Sequence, residues 1–298
     1  MTSQLATIAG NEVIAMAVAG IDAPNTRRAY IRHLTSFTEY ARQYGDGFNR
    51  QTVQSFKAAM IAAGASAANV NQALSAVRKL ADESAYAGMI DDTTRRGIVE
   101  VKGVKVTGEK MGRWLTAQEA QALVNAPDCT TLLGLRDRAI LSVLVGAGLR
   151  REEVTRLTLA HIQQVMGRWV IVDLLGKHGR TRSIGIAAWV KYAIDAYVLA
   201  GAIADDAPIF RGMRRGDHLQ SAPMTDQAVQ DVVKRYSTIA PHDLRRTYAK
   251  LAREAGAPLE QIQLSLGHAS LATTERYLGS RLDLTVTPSD MITVKLNV

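Results

Sequence analysis

A single cysteine, Cys129, serves the whole 298-residue chain. That excludes an internal disulfide and any multi-cysteine metal site, and it suits a reducing compartment. Aromatic residues make up only 5% of the sequence, whereas Ala and Leu are abundant, which tilts the expectation toward helix. Long hydrophobic runs are missing too. The longest apolar stretch, Ala139 to Gly148, falls far short of the roughly 20 residues that cross a bilayer and reads as a core helix. The start, Met-Thr-Ser-Gln-Leu, lacks the basic opening of a secretory signal, so a cytoplasmic protein without membrane contact is expected. No internal repeat or low-complexity tract is visible. With 47% hydrophobic and 21% charged residues, the chain has the balance of a folded globular protein.

What the chain does have is positive charge: 36 Lys and Arg against 28 Asp and Glu, a net +8. A basic chain suits a polyanionic partner, because neutralising phosphates releases counterions, although a merely soluble basic protein has the same balance. The excess is locally concentrated. Between Arg95 and Arg113 lie Arg95, Arg96, Lys102, Lys105, Lys110 and Arg113, opposed only by Glu100 and Glu109.

Hydrophobic periodicity divides the chain in two. The spacing predicts helices over about 4–19, from Asp22-Ala23-Pro24 onward, over 50–63 and after Ser66. Tyr30, Leu34, Phe37 and Tyr40 or Ala41 share one face, and Val70, Leu74, Val77 and Leu80 another. Arg27, Arg28, Arg32, Arg42 and Arg78 are expected on the polar sides, as phosphate contacts or simply as solvated faces. Helical period is lost after Gly97. The expected organisation is therefore a helical domain over 1–97, of the kind that can grip a duplex by its phosphates, a basic linker over 98–113 and a second domain over 114–298. Thr116 and Glu119 form a capping-box signature at the second domain's start. Further helices are expected near 117–126, 131–147, 150–157, 187–200, 225–237, 241–255, 258–265 and 270–278. Trp169–Val172 and Thr181–Ile186 read as strands, and Ile292–Val298 alternates like an edge strand. The fold class is mainly α with a small β-sheet.

Cleaving a phosphodiester without metal requires permanently charged forked donors for the phosphate oxygens, a nucleophile, and a proton donor for the leaving 5′-oxygen. The second domain supplies such groups in order. Arg150 stands where Gly148-Leu149 ends one helix and the next begins, with Glu153 three residues on to orient it. His242 and Arg245 sit at i and i+3 at a helix start. His268 follows Leu266-Gly267, and Tyr277 comes nine residues later on an expected helix. Each element alone has an ordinary explanation: a helix start, a satisfied polar pair, a packed tyrosine. Their order and their basic setting together point to DNA chemistry.

This ordered set resembles the tyrosine recombinase, or phage integrase, family over about 114–278; the N-terminal part matches that family's core-binding domain in size and helical character. The resemblance implies that Tyr277 is the nucleophile, that Arg150, Arg245 and His268 hold the scissile phosphate, and that Glu153 is the acidic neighbour of Arg150. Lys177, in the turn Gly-Lys-His-Gly-Arg-Thr-Arg, corresponds to the hairpin lysine that protonates the leaving oxygen, and His242 assists proton transfer at the tyrosine. The family's own turn reads Gly-Lys-Gly-x-Lys-x-Arg, so His178 stands for a glycine. Arg246 occupies a position where the family often has His and reads as a phosphate contact or a salt bridge. The implied partner is double-stranded DNA, on which a homotetramer assembles at paired sites, with accessory proteins as a further class. Arg27, Arg28, Arg32, Arg78, Lys102, Lys105, Lys110 and Arg246 are the expected DNA contacts. Neither a metal nor another cofactor is implied. By the same resemblance the C-terminal tail is a candidate for docking onto a neighbouring protomer. The competing readings are a type IB topoisomerase, a catalytically silent DNA-binding protein of the same fold, and an RNA-binding or structural module.

Overall fold

The computed structural model describes residues 11–105, 112–176, 179, 181–214, 218–268 and 270–278. The chain forms two compact units, 1–110 and 111–298.

The first unit is a helical bundle: α1 (Asn11–Val18), α2 (Pro24–Tyr44), α3 (Arg50–Ala62), α4 (Ala67–Tyr86) and α5 (Asp92–Val99). Local chemistry fixes the starts. Pro24 opens α2, while Asn49, Ser66 and Asp91 accept hydrogen bonds from the backbone N–H groups of Thr52, Asn69 and Thr94. The expected faces meet in the core, where Leu34, Phe37, Val70, Leu74, Val77 and Leu80 are all buried. Each such side chain contributes about 1.5–3 kcal/mol by leaving water. Phe37 packs between Phe48 and Phe56, with ring centroids at 5.5 and 5.3 Å.

Two expectations need correction here. Helix α5 runs through Gly97, and the expected linker begins too early, because residues 98–105 belong to the bundle. Ile98 and Val101 are buried in its core, Asn71 exchanges hydrogen bonds with the backbone of Val104, and Lys57 donates to the Lys102 carbonyl. Arg78, expected on a polar side, is half-buried and donates to the Val101 carbonyl at 2.6 Å.

The second unit is built around α7 (Leu132–Gly146), whose residues from Ala139 to Val145 are buried on every side. Helices α6 (Ala117–Asn125), α9 (Ala188–Ala200), α10 (Asp226–Tyr236) and α11 (Pro241–Glu254) pack around it. The capping box is formed: Glu119 N–H donates to Thr116 Oγ1 at 3.2 Å, and Thr116 N–H donates to Glu119 Oε2 at 2.8 Å. Asp137 of α7, fully buried, accepts from Arg136, Arg235 and the Tyr236 hydroxyl. Short helices α8 (Arg151–Thr155), α12 (Leu259–Leu266) and α13 (Leu271–Leu278) also belong to this unit.

An antiparallel sheet β1-β2-β3 joins Ile162–Val165, Arg168–Leu175 and Thr181–Gly185. Met166 and Gly167, at φ +49° and +75°, make the tight turn between β1 and β2. The β2–β3 register slips between Ile171 and Leu174, where Asp173 takes φ +53°, a bulge that adds twist. A second hairpin pairs β4 (Arg211–Arg214) with β5 (His218–Pro223). Sequence reading anticipated β2 and β3 and missed β1, β4 and β5. The edge strand expected at 292–298 lies outside the described residues, as do residues 4–10 of the first expected helix. Among the described residues, no helix is long and apolar enough to cross a membrane.

Candidate active site

The site gathers on the C-terminal end of α12. A helix end leaves carbonyls without intrahelical partners and a partial negative charge, both of which suit cations. Three arginines from distant parts of the chain meet that need. Arg182 Nε donates to the Ser265 carbonyl at 2.7 Å. Arg245 Nη2 donates to the Leu266 carbonyl, which Arg150 Nη2 also approaches at 3.4 Å.

Arg150 precedes α8 as its N-cap. The chain reaches it through Gly148, whose φ of +59° turns the backbone and whose carbonyl accepts from Arg245 Nη1 at 2.5 Å. The ring of Tyr248 packs against Gly148 and leaves no room for a Cβ there. Glu153 receives both the backbone N–H of Arg150 at 2.7 Å and its Nη1 at 2.8 Å. Its carboxylate also takes a two-pronged contact from Arg182, at 2.7 and 2.8 Å. Burial alone would raise the Glu153 pKa, but the hydrogen bonds from Arg182 and the Arg150 backbone, with both guanidinium charges, outweigh it and bring it to about 2. Glu153 is therefore ionised at any working pH.

His242 enters on the first turn of α11 behind Pro241, and Arg245, 1% exposed, follows one turn later. Gly267 closes α12 in the left-handed conformation, φ +61°, and the His268 N–H then returns to the Gln263 carbonyl at 3.1 Å. That turn presents His268, whose Nδ1 lies 2.9 Å from the hydroxyl of Thr274 on α13. Loss of solvation, then Arg245 and Arg150, lowers the His268 pKa to about 4. His242 is exposed overall, and its pKa is also lowered, by partial desolvation and then by Arg245 and Arg246. Both imidazoles thus sit neutral in a positive field, a setting that favours an incoming anion.

Arg150, Glu153, His242, Arg245 and His268 come together as the sequence suggested. Tyr277 lies on α13 one turn beyond Thr274, and its side chain is outside what is described, as are Lys177 and Lys110. Residue 177 falls in the connection between β2 and β3. Two other tyrosines of this unit, Tyr197 and Tyr236, are engaged elsewhere. Tyr197 is buried against Phe210 and Tyr236 donates to Asp137; burial raises both phenol pKa values, which disfavours a phenolate. Arg246 lies 3.8 Å from the Asp243 carboxylate and packs against Gly112. In the first unit Arg27, Arg28 and Arg32 are exposed on α2, and Lys102 and Lys105 are exposed beyond α5.

From the sequence, Arg182 is only the closing arginine of the hairpin turn, without a role, and Thr274 is not singled out. For Arg182 a signal existed: it lies two residues before buried Ile184 on β3, hence on the inward face. For Thr274, on an eight-residue helix, no comparable signal exists. Among the described residues no group of three or more His, Cys, Asp or Glu side chains is placed to hold a metal ion.

Comparison with known proteins identifies the family. The profile of the phage integrase family matches residues 113–282, and that of the phage integrase N-terminal SAM-like domain matches 20–85. The chain belongs to the phage integrase family of tyrosine recombinases. The recombinase is 30% identical over 269 residues to tyrosine recombinase XerC of Pelobacter propionicus, covering 87% of this chain and 86% of the relative. It is 28% identical over 274 residues to XerD of Staphylococcus haemolyticus, covering 85% and 87%. In fold it is similar to XerH recombinase bound to palindromic difH DNA (TM-score 0.67, 18% identity, 96% of this chain and 82% of that one). A lambda integrase dimer bound to a core site is similar to the same degree (TM-score 0.67, 19% identity, 95% and 79%). The activity is that of a site-specific tyrosine recombinase, a DNA strand-exchange enzyme.

Proposed function

We propose that this recombinase cleaves and rejoins DNA through Tyr277, with Arg150, Arg245 and His268 holding the scissile phosphate. The observation that carries the assignment is the convergence of Arg150, Arg245 and His268 on the end of α12, in a field that keeps His268 neutral. The Tyr277 oxygen attacks phosphorus, the bond to the 5′-oxygen breaks, and a 3′-phosphotyrosine remains. Lys177 gives its proton to the departing 5′-oxygen, and His242 accepts the proton of the phenol. A 5′-hydroxyl from the partner duplex reverses the step, so the phosphodiester bond energy is kept.

A neutral His268 contributes as a hydrogen-bond donor. If the Thr274 hydroxyl donates to Nδ1, Nε2 carries the proton and points it at a non-bridging oxygen. The two arginines supply permanent forked charge where the pentacoordinate state gathers it. Exposed Arg27, Arg28, Arg32, Lys102 and Lys105, with Lys110, contribute phosphate contacts that give affinity without sequence information. Arg246 is a further phosphate contact in this reading, whereas Arg78 is held by the Val101 carbonyl. Assembly on paired DNA sites as a homotetramer in the cytoplasm, with accessory proteins setting direction, completes the proposal; the DNA-bound forms of XerH and lambda integrase support assembly on DNA in general.

The test compares one DNA with two. Incubation with two site-bearing duplexes of different length yields recombinant products of predictable size if strands are exchanged. Relaxation of a supercoiled single-site plasmid without recombinants would replace this reading with a topoisomerase-like one.

A further inference from the structure

We propose that Arg182 is a positioning residue for strand cleavage, acting through Glu153 on Arg150; the proposal rests on the reading of Arg150 as a phosphate-holding group. Arg182 is engaged within the protein at all three of its guanidinium nitrogens. Its side chain is 9% exposed, its two terminal nitrogens are held by Glu153 and its Nε by the Ser265 carbonyl. Its stem also lies under Gly267, where a Cβ would come within 3.0 Å of its Cδ. What it can do is decide how Glu153 meets Arg150.

Glu153 is nearly fully buried and ionised, and a buried carboxylate needs a matching cation. With both arginines present, the group of Arg150, Glu153 and Arg182 carries one net positive charge. Arg182 and Glu153 neutralise each other through a forked contact, while the partly exposed Arg150 shows the remaining charge outward. Without Arg182, Arg150 and Glu153 would cancel, and the field at a bound phosphate would lose a full charge. Geometry points the same way. Arg182 fixes the Glu153 carboxylate from the side of β3, so that Glu153 can hold both the backbone and the guanidinium of Arg150. Its hold on Ser265 keeps β3 against the same helix end that Arg150 and Arg245 use. A lysine in its place would keep the charge and lose the fork.

The experiment measures single-turnover cleavage of nicked DNA bearing the native site, with site binding and thermal midpoint determined for each protein. The variants are Arg182→Met, Arg182→Lys, Glu153→Gln and the pair Arg182→Met with Glu153→Gln. Arg182→Met is expected to bind its site as wild type does and to cleave about 100-fold more slowly, the scale of a misplaced catalytic group. Arg182→Lys recovers part of the rate. The double variant loses less than the product of the single losses, because the two side chains act as one unit. On DNA whose scissile phosphate is a neutral methylphosphonate, the gap between Arg182→Met and wild type shrinks, since there is less charge to meet. Wild-type cleavage by folded Arg182→Met, multiplicative losses in the double variant, or an undiminished gap on neutral DNA would each overturn the proposal. If Arg182→Met does not fold, Arg182→Lys carries the same comparisons. Undiminished cleavage by Arg150→Ala is a separate outcome and would remove the reading on which the proposal stands.

Discussion

A histidine surrounded by arginines is an uncharged hydrogen-bonding group, and that governs what His268 contributes. Its pKa of about 4 leaves it neutral throughout the physiological range. Cleavage measured from pH 6 to 8 should therefore show no inflection near 6.5 attributable to His268. Thr274 holds the ring by Nδ1 and is itself fully buried. Thr274→Val keeps the shape and removes the hydroxyl. Since a single hydrogen bond is worth about 0.5–1.5 kcal/mol, cleavage should fall roughly 3- to 10-fold, and Thr274→Ser should restore it. A wild-type rate for Thr274→Val would show that His268 needs no such hold.

At the scale of elements, the turn at Gly148 and the end of α12 are the two supports on which the arginines rest. Gly148→Ala places a Cβ at a positive φ, which costs about 1–2 kcal/mol, and within 2.6 Å of the Tyr248 ring. Urea unfolding should show at least that loss, with cleavage falling further because the Gly148 carbonyl anchors Arg245. An unchanged midpoint would contradict the assigned turn. The long helices were legible because their apolar spacing and caps are local facts, as the Thr116–Glu119 box and the Val70-Leu74-Val77-Leu80 face illustrate. Strand β1, Ile-Gln-Gln-Val, is four residues long and largely exposed, so no alternation marks it. The β4–β5 hairpin, Arg-Gly-Met-Arg and His-Leu-Gln-Ser-Ala-Pro, lacks the β-branched residues that announce a strand. Helix α5 hid behind Gly97; it is held by its Asp91 cap, by ion pairs of Asp92 with Arg95 and Arg96, and by burial of Ile98. In the site, residue types and order exposed Arg150, His242, Arg245 and His268. The Glu153–Arg182 contact joins residues 29 apart, a pairing only the fold creates.

For the whole molecule, acid is the sensitive variable. His242 and His268 have folded pKa values below 6.5, so between 6.5 and about 4 the unfolded chain binds more protons than the folded one. Stability therefore falls as pH drops through that window. Glu153 adds a second loss below about 4.5, which continues toward its folded pKa of about 2. Thermal midpoints should decline from pH 7 to pH 4, and His268→Gln should flatten the upper part of that decline. A midpoint that rises on acidification would reverse the assigned signs. The net charge of +8 belongs to this scale as well, since it favours a phosphate-lined partner for the chain as a whole.

The central claim is that Tyr277 forms a covalent bond to DNA. Its most direct test is denaturing electrophoresis of wild type and Tyr277→Phe after incubation with nicked DNA from the native locus. The account predicts a denaturation-resistant protein–DNA complex with wild type and none with Tyr277→Phe, while both proteins bind the site. Attachment that survives in Tyr277→Phe, or none in wild type on DNA that it binds specifically, would contradict it.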